Sequence, residues 1–595
     1  MIHGAGNNRR KVWVSPEERL VRTANGGRLE RMAGLNILHL QGSAYEMGLQ
    51  HGLLLRSEIQ DGIFDFYVNY LTRLLEGQLK RRSLGLLDYI KKFMQRNVLA
   101  GRMFGRLMKN VPKHALEELH GIADGSGVPL ERILKAYVTS DTLLYLVGRA
   151  FTQRRRIAPA LMSACYPLAS ACTSIAAWGS ASTDGRMLHG RNLEFMGSGI
   201  WDRHPTVILF RPDEGMRYVS VTTAGVGTGG VTCANEAGLT AALHINTSRE
   251  VSLDGVPMIW LLDHVIRNAT SIEEAEKLVA RHRAVAGFTL VLTDAKARRA
   301  ATIEFSAERQ VVRWGEDGRL VQTNHYLDAE HQDAELEVNT SIRAQTLGRF
   351  QRAQELVDRH AGQIDVKRMI DFLSDHHDPY LMRDRFLGNT ISQPHNISSV
   401  VFQPEERRLW VAVGPSPTCH GKYFAVDYGA DRQGDGWLHY YSGTGQSDPV
   451  QARAFQGYME AYRKSLLGAP AEVISQDLEE SCRLDPREPS YPFASGIYHL
   501  KMRRFAQAIE CFDQATAFAN LPHKHMSLRL WTGVALLGLG RDNEANVEFA
   551  AVLAAAGTGE EVKSLARKCL AREIDLENLA FLEFDFVFSD VIDWS

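Results

Sequence analysis

Cys172 is the residue whose neighbours suggest chemistry. The seven cysteines (165, 172, 233, 419, 482, 511 and 569) are scattered, odd in number and never spaced as CxxC. That argues against a disulfide scaffold or a zinc cage and leaves thiol chemistry to single residues. A thiol attacks as thiolate, and with an ordinary pKa of about 8.5 it is mostly protonated near neutrality. It needs a base. A peptide bond cut before Cys172 would free an α-amino group of pKa about 7.7 to 8.0 on the same residue, able to take the thiol proton and return it to a leaving amine. An inert buried cysteine is the bland alternative. Two other constellations carry less. Gly225-Val226-Gly227-Thr228-Gly229-Gly230 formally satisfies GxGxxG but leads into another β-prone run rather than a helix, so it reads as a glycine loop lining the nucleophile's pocket. Asp375-His376-His377-Asp378 offers ligand types without a spaced metal set and reads as a solvated helix end.

Around Cys172 the sequence runs Ser170-Ala171-Cys172-Thr173-Ser174, then Asp184-Gly185, then Gly190-Arg191-Asn192-Leu193-Glu194. Upstream stands Gly42-Ser43-Ala44-Tyr45-Glu46-Met47-Gly48-Leu49-Gln50-His51-Gly52. Downstream, in order, come Asn235-Glu236-Ala237-Gly238, Thr323-Asn324-His325-Tyr326, Ser341-Ile342-Arg343, and Ser398-Ser399-Val400-Val401 with Val413-Gly414-Pro415. This pattern, over roughly residues 40 to 415, resembles the cysteine branch of the N-terminal-nucleophile (Ntn) hydrolases: the acyl-coenzyme A:isopenicillin N acyltransferase family, related to choloylglycine hydrolases and penicillin V acylases. The resemblance implies self-cleavage between Ala171 and Cys172 and an acyl-enzyme on Cys172, with no cofactor and no metal. It further implies that Glu194, in a position the family usually fills with Asp, holds the new α-amino group, and that Arg191 positions the thiol or substrate. Attack on a carbonyl develops negative charge on oxygen, which pre-placed donors stabilise. The resemblance assigns that role to Asn324, with a second contribution from the strand after Gly238, where His244 and Asn246 are the alternatives. Arg343 aligns with a structural or site arginine.

These residues need a scaffold. From about Tyr45 to Leu144 apolar residues recur at helical spacing, so residues 1–171 are expected to form a helical N-terminal region. Its stretch from Lys80 to Lys113 is basic and amphipathic, suited to an acidic acyl carrier or a membrane surface, or simply a solvated helix face. From Cys172 short β-prone runs alternate with Gly, Asp and Asn turns and a few helices, predicting an α+β core over residues 172–450. The resemblance makes that core an αββα sandwich. In residues 455–595, Gly496, Ala508, Phe512 and Ala515 occupy tetratricopeptide offsets, and Gly533, Ala545 and Phe549 reproduce three of them. The expectation is a helical, repeat-like module that binds a protein partner while leaning on the core.

Bulk properties set limits. Among 595 residues, 45% are hydrophobic and 23% charged, as in ordinary globular chains of several domains. A net charge of -2 gives no electrostatic case for nucleic acid. No secretory pattern follows Arg9-Arg10-Lys11 and no apolar run reaches membrane-spanning length, so a cytoplasmic location is expected. The expected substrate is a small acyl amide or acyl thioester, free or carrier-bound. The alternative reading is an inactive Ntn-like scaffold whose repeat module recruits a partner.

Overall fold

Side chains alternate along the strand Cys172–Ala177, and the layers on either side follow from that alternation. Ala176 joins Met187, Ala242 and Val291 in the core on one face, while Ile175 and Ala177 join Met369 and Leu373 on the other. The computed structural model describes residues 10–13, 20–69, 101–152, 172–227, 230–337, 339–430, 437–443, 448–519 and 521–593. In it this strand belongs to an eight-stranded sheet ordered Arg10–Trp13, Trp437–Ser442, Lys422–Asp427, Arg408–Val413, Asn396–Gln403, Leu188–Glu194, Cys172–Ala177 and Arg319–Gln322. A ten-stranded sheet packs on it, ordered Gln310–Trp314, Arg299–Phe305, Phe288–Asp294, Leu239–Ile245, Thr232–Asn235, Tyr218–Thr223, Pro205–Pro212, Leu35–Gly42, Gly27–Met32 and Leu20–Ala24.

Between the sheets Ile37, Val207 and Val219 meet Val400, Phe402 and Val411. Each such side chain contributes about 1.5–3 kcal/mol when buried. Helices Ala44–Leu54, Lys113–Ser126, Met258–Asn268 and Ile272–Ala280 cover the outside of the ten-stranded sheet. Helices Thr340–Arg359 and Val366–Leu373 cover the outside of the other. The layers therefore run αββα, within the α+β class that the texture of the sequence predicts.

The segment before Cys172 is not simply helical, which corrects the expectation for residues 1–171. Arg10–Trp13 joins the eight-stranded sheet beside Trp437–Ser442, and three further strands join the other sheet. Two tight turns connect those three: Asn25-Gly26 with φ of 47° and 85°, and Ala33-Gly34 with φ of 51° and 83°. Successive left-handed residues match the right-handed twist of the flanking strands, and Asn-Gly is the short-range hairpin signal that the sequence carries there. Leu35–Gly42 then pairs in parallel with Pro205–Pro212, from Asn36 opposite Thr206 to Gly42 opposite Pro212. The helical expectation holds further on. Helices Ala44–Leu54 and Lys113–Ser126 cross with their backbones in contact: a Cβ on Gly48 would lie 2.0 Å from the Glu118 carbonyl oxygen, and one on Gly121 2.2 Å from that of Tyr45. Most of the basic stretch, and Ala171, fall outside the described residues. At its described end Arg106 pairs with Asp254 at 2.5 Å and Lys113 with Glu117 at 3.2 Å.

From Pro449 the chain is helical up to a short terminal hairpin, Glu583–Asp585 with Asp590–Asp593. Helices Ser490–Lys501 and Phe505–Thr516 pack through Gly496 on the Phe512 ring, and helices Pro522–Gly538 and Asp542–Ala554 repeat the contact through Gly533 on Phe549. These helices are not a loosely tethered appendage. Arg385 of the core lies buried between Asp378, at 3.2 Å, and Glu488, whose Oε2 is 2.9 Å from its Nε. Phe386 stacks on Phe455 with centroids 4.6 Å apart.

Candidate active site

Both main-chain groups of Cys172 are held by side chains from elsewhere in the chain. The Cys172 N–H donates to Asn324 Oδ1 across 152 residues of sequence. Arg349 Nη1 donates to the Cys172 carbonyl oxygen at 2.6 Å and to Thr173 Oγ1 at 3.1 Å, while its Nη2 donates to Asn324 Oδ1 at 3.2 Å. Asn324 sits in the bend after Arg319–Gln322; its N–H donates to Thr346 Oγ1 at 2.9 Å and its Nδ2 to the Ile245 carbonyl oxygen at 2.9 Å. An amide nitrogen carries two N–H groups, so one is left for a ligand. Arg349 was not among the residues singled out in the sequence. The available signal was weak: on the helix Thr340–Arg359 it shares a face with Arg343 and Thr346 at three-residue spacing.

Glu194 follows Leu193, the register partner of Cys172, and is fully buried. Its Oε1 accepts from Asn396 Nδ2 at 2.9 Å, and Asn396 is itself fixed by Thr418 Oγ1 at 2.7 Å and the Cys419 N–H at 2.8 Å. Glu194 Oε2 has no hydrogen-bond partner among the described residues. Burial pushes the Glu194 carboxyl up to about 7, while Arg349, Asn396 and Arg191 pull the other way. Arg191 is buried and donates to the Leu243 carbonyl oxygen at 2.7 Å and to that of Asn192.

The segment after Gly238 presents main-chain carbonyls to Arg191 and Asn324, and its two candidate side chains contact the strands around them. His244 Nε2 meets Ser174 Oγ at 2.8 Å and its Nδ1 meets the Thr323 carbonyl oxygen at 3.1 Å. Burial holds its pKa well below the usual value, so the ring is neutral: Nδ1–H donates to Thr323 and Nε2 accepts from Ser174. Asn246 Oδ1 accepts from Thr289 Oγ1 at 3.1 Å. Main-chain groups alternate between the two edges of an antiparallel strand. The edge of Leu239–Ile245 away from Phe288–Asp294 carries the Leu243 and Ile245 carbonyls, held by Arg191 and Asn324, and the Ile245 N–H shares that edge, past the end of the Thr232–Asn235 ladder. Arg343 stands apart from Cys172, paired with Glu335 at 2.8 Å.

Cys172 lines an apolar cavity. Leu193, Phe195, Trp201, Leu243 and Ile245 line it from after Cys172, and Ile63, Phe64, Tyr67 and Tyr137 from before it. Tyr67 donates to the Met196 carbonyl oxygen at 3.1 Å. The glycine loop contributes Val226 and Val231 and is tied down by Gly225 N–H to His51 Nε2 at 3.0 Å and Gly227 N–H to the Tyr137 hydroxyl at 2.8 Å. The strand Thr232–Asn235 follows it, where the sequence carries a β-prone run rather than a helix. In the acidic and histidine run, Asp375 pairs with Arg352 at 2.8 Å and Asp378 with Arg385. No metal-holding group of His, Cys, Asp or Glu occurs among the described residues.

Comparison with known proteins agrees with the family resemblance. Residues 185–416 match the acyl-coenzyme A:6-aminopenicillanic acid acyl-transferase family. The match spans Arg191, Glu194, His244, Asn246, Asn324, Arg343 and Arg349 and begins after Cys172. An uncharacterized protein of Archaeoglobus fulgidus is 26% identical over 64% of this chain and 64% of its own length. Proteins dcd1A and dcd1B of Dictyostelium discoideum are 28% and 24% identical, each over 40% of this chain and over 52% and 44% of their own lengths. The chain thus spans less than two thirds of the curated relatives it matches. Among solved structures, a mutant conjugated bile acid hydrolase from Clostridium perfringens aligns with 14% identity and a TM-score of 0.30, covering 46% of this chain and 96% of that one.

Proposed function

Because residues 185–416 match the acyl-coenzyme A:6-aminopenicillanic acid acyl-transferase family, we propose that this chain is a self-processing acyltransferase or amidohydrolase that works through a Cys172 acyl-enzyme. The observation carrying this reading is the clamp on Cys172: amide to Asn324, carbonyl to Arg349, in the wall of an apolar cavity. Hydrolysis of the Ala171–Cys172 peptide bond consumes one water and frees the Cys172 α-amino group. That group takes the thiol proton, and the thiolate adds to the substrate carbonyl carbon. The oxyanion accepts from the second Asn324 Nδ2–H, with the Ile245 N–H as a further donor. One such donor is worth about 2.7–4 kcal/mol of barrier. Collapse breaks the carbon–nitrogen bond, the amine departs with the proton held by the α-amino group, and the acyl group stays on sulfur as a thioester. Water completes a hydrolysis; a second amine completes a transfer.

Glu194, with its free Oε2 next to the register partner of Cys172, steadies the new α-ammonium, and Arg349 keeps the strand end in place once the upstream peptide is gone. The apolar cavity takes the acyl group, which supports an uncharged, hydrocarbon-rich acyl portion. Strands from before the cut are hydrogen-bonded into both sheets, which supports fragments that stay together after processing. Intact mass and N-terminal sequencing test the reading. The larger fragment is expected to begin Cys-Thr-Ser-Ile, and Cys172→Ala to remain one chain with no turnover. A wild type that is active yet uncut overturns it.

A further inference from the structure

The core and the C-terminal helices enclose a second cavity, which shares no lining residue with that of Cys172. From the core come Ser341 and Gln345 of the helix Thr340–Arg359, together with Arg385 and Asn389. The helix side is mainly apolar, with Phe493, Ala519, Leu528, Val587 and Phe588 in its wall.

The charges around this cavity are already matched. Lys524 Nζ has three N–H donors, and they go to the Phe588 and Ser589 carbonyl oxygens and to Asp590 Oδ1 at 2.7 Å. Arg385 donates through Nε and Nη2 to Glu488, through Nη1 to Asp378 at 3.2 Å, and through Nη2 to Ser490 Oγ at 3.2 Å. Burial pushes His523 down to about 4, so its ring adds no charge near neutrality. An anion would have to break these pairs, and a cation would meet both Lys524 and Arg385. An uncharged ligand faces neither cost.

The neutral polar groups are not matched. Gln393 Nε2 donates to the Gly388 and Thr390 carbonyl oxygens, so its Oε1 is the acceptor and Gln345 must offer Nε2 to it. That orientation leaves Gln345 Oε1 with no donor among the described residues, although the residue is only 2% exposed. Asn389 is fixed in the same way. A carboxylate takes only donors, so Nδ2 faces Asp378 Oδ2, at 3.3 Å, and Oδ1 is left over on a residue 4% exposed. A buried acceptor without a donor is costly, and a ligand that donates to it removes the cost. The apolar wall opposite suits a hydrocarbon body.

We propose that this cavity is a binding site for an uncharged amphiphile, a hydrocarbon body with a hydroxyl or primary amide head that donates to Gln345 and Asn389, and that its occupancy tightens the seating of the C-terminal helices on the core. The proposal stands apart from the Cys172 reading. A ligand that touches both walls does so only while they are docked, so its binding free energy favours the docked arrangement.

Calorimetric titration of the full-length protein with 1-hexanol, hexanoate and hexylammonium tests this, because the three share a chain and differ in charge. Hexanol is expected to bind saturably, and the two ions at least about tenfold more weakly. Equal affinity for hexanoate, or no binding of hexanol, overturns the proposal. Ala519→Phe fills the cavity and is expected to abolish hexanol binding, with thermal melts to confirm that it folds. Hexanol seated in the Cys172 cavity instead would bind Ala519→Phe as well as wild type, and that result also overturns the proposal. Ser341→Ala keeps the test usable if Ala519→Phe does not fold, since it removes only a hydroxyl. It is expected to weaken hexanol about threefold to tenfold, and unchanged affinity counts against the site. Limited trypsin digestion reads the junction. At ten times the Kd of hexanol, release of the C-terminal helices is expected to slow about tenfold, and binding without slowing overturns the tightened seating.

Discussion

The Cys172 end of the sandwich and the C-terminal helices are both tightly packed, but they are built from opposite materials. Around Cys172 the contacts are polar and distant in sequence: Asn324 reaches across 152 residues and Arg349 across 177. In the helices they are apolar and local, a glycine of one helix seated on a phenylalanine of the next, in two successive pairs. Damage should therefore differ in kind. A lost partner in the polar cluster strands a buried donor, acceptor or charge. A change in the apolar stack alters volume alone.

Removing Arg349 is the severest test of the polar side. Arg349→Met strips the buried Cys172 carbonyl oxygen, Thr173 Oγ1 and Asn324 Oδ1 of a charged donor, and a buried group left unsatisfied costs about 1–3 kcal/mol. Denaturant unfolding should register that loss, and gel analysis should show slowed appearance of the cut chain. If the variant is as stable as wild type, the clamp is incidental. Asn324→Ala, prepared from already cut protein or by co-expressing the two fragments, should lower turnover about a hundredfold to a thousandfold with a smaller change in KM. Near wild-type turnover would remove Asn324 from the site.

Titration of Glu194 gives a third comparison. Its carboxyl is raised in the folded chain to about 7 from 4.5, so the unfolded chain loses this proton first. The associated stability is present below about pH 4.5 and is lost as pH rises to about 7, amounting to about 3 kcal/mol. Asp141 and Glu335 are raised in the same direction, also to about 7, and add to the slope. Glu194→Gln should make the protein more stable at pH 8 and flatten the decline between pH 5 and 8 by roughly one group's share. An unchanged slope would show that Glu194 is not the group titrating there.

The mildest effect belongs to the helices. A Cβ on Gly533 would lie 2.6 Å from the Phe549 ring, so Gly533→Ala should cost about 1–3 kcal/mol in melting experiments while turnover on a small substrate holds. A loss of turnover without unfolding would tie these helices to the site. Such a tie has a visible route, because Phe588 of the terminal hairpin packs edge-on to His395, the neighbour of the Asn396 that holds Glu194.

The sequence by itself determined what depends on local spacing and residue chemistry. Ala-Cys-Thr marked Cys172, the change of texture after it marked the sheets, and Gly496 with Phe512 and Gly533 with Phe549 marked helix pairs whose repeat character stays a proposal. The strands before Cys172 carry a local signal, Asn25-Gly26, that the helical reading of residues 1–171 leaves out. Tertiary structure alone decided which polar groups meet. Arg343 and Arg349 lie on one helix face and look alike in sequence, yet Arg349 holds Cys172 while Arg343 pairs with Glu335. His244 and Asn246 both had the right chemistry for the site, but their side chains brace neighbouring strands, and the Ile245 main chain between them faces Asn324. The reason is physical. Strand alternation fixes which groups share an edge, but which partner stands opposite that edge depends on sheets and helices assembled from residues far apart in the chain.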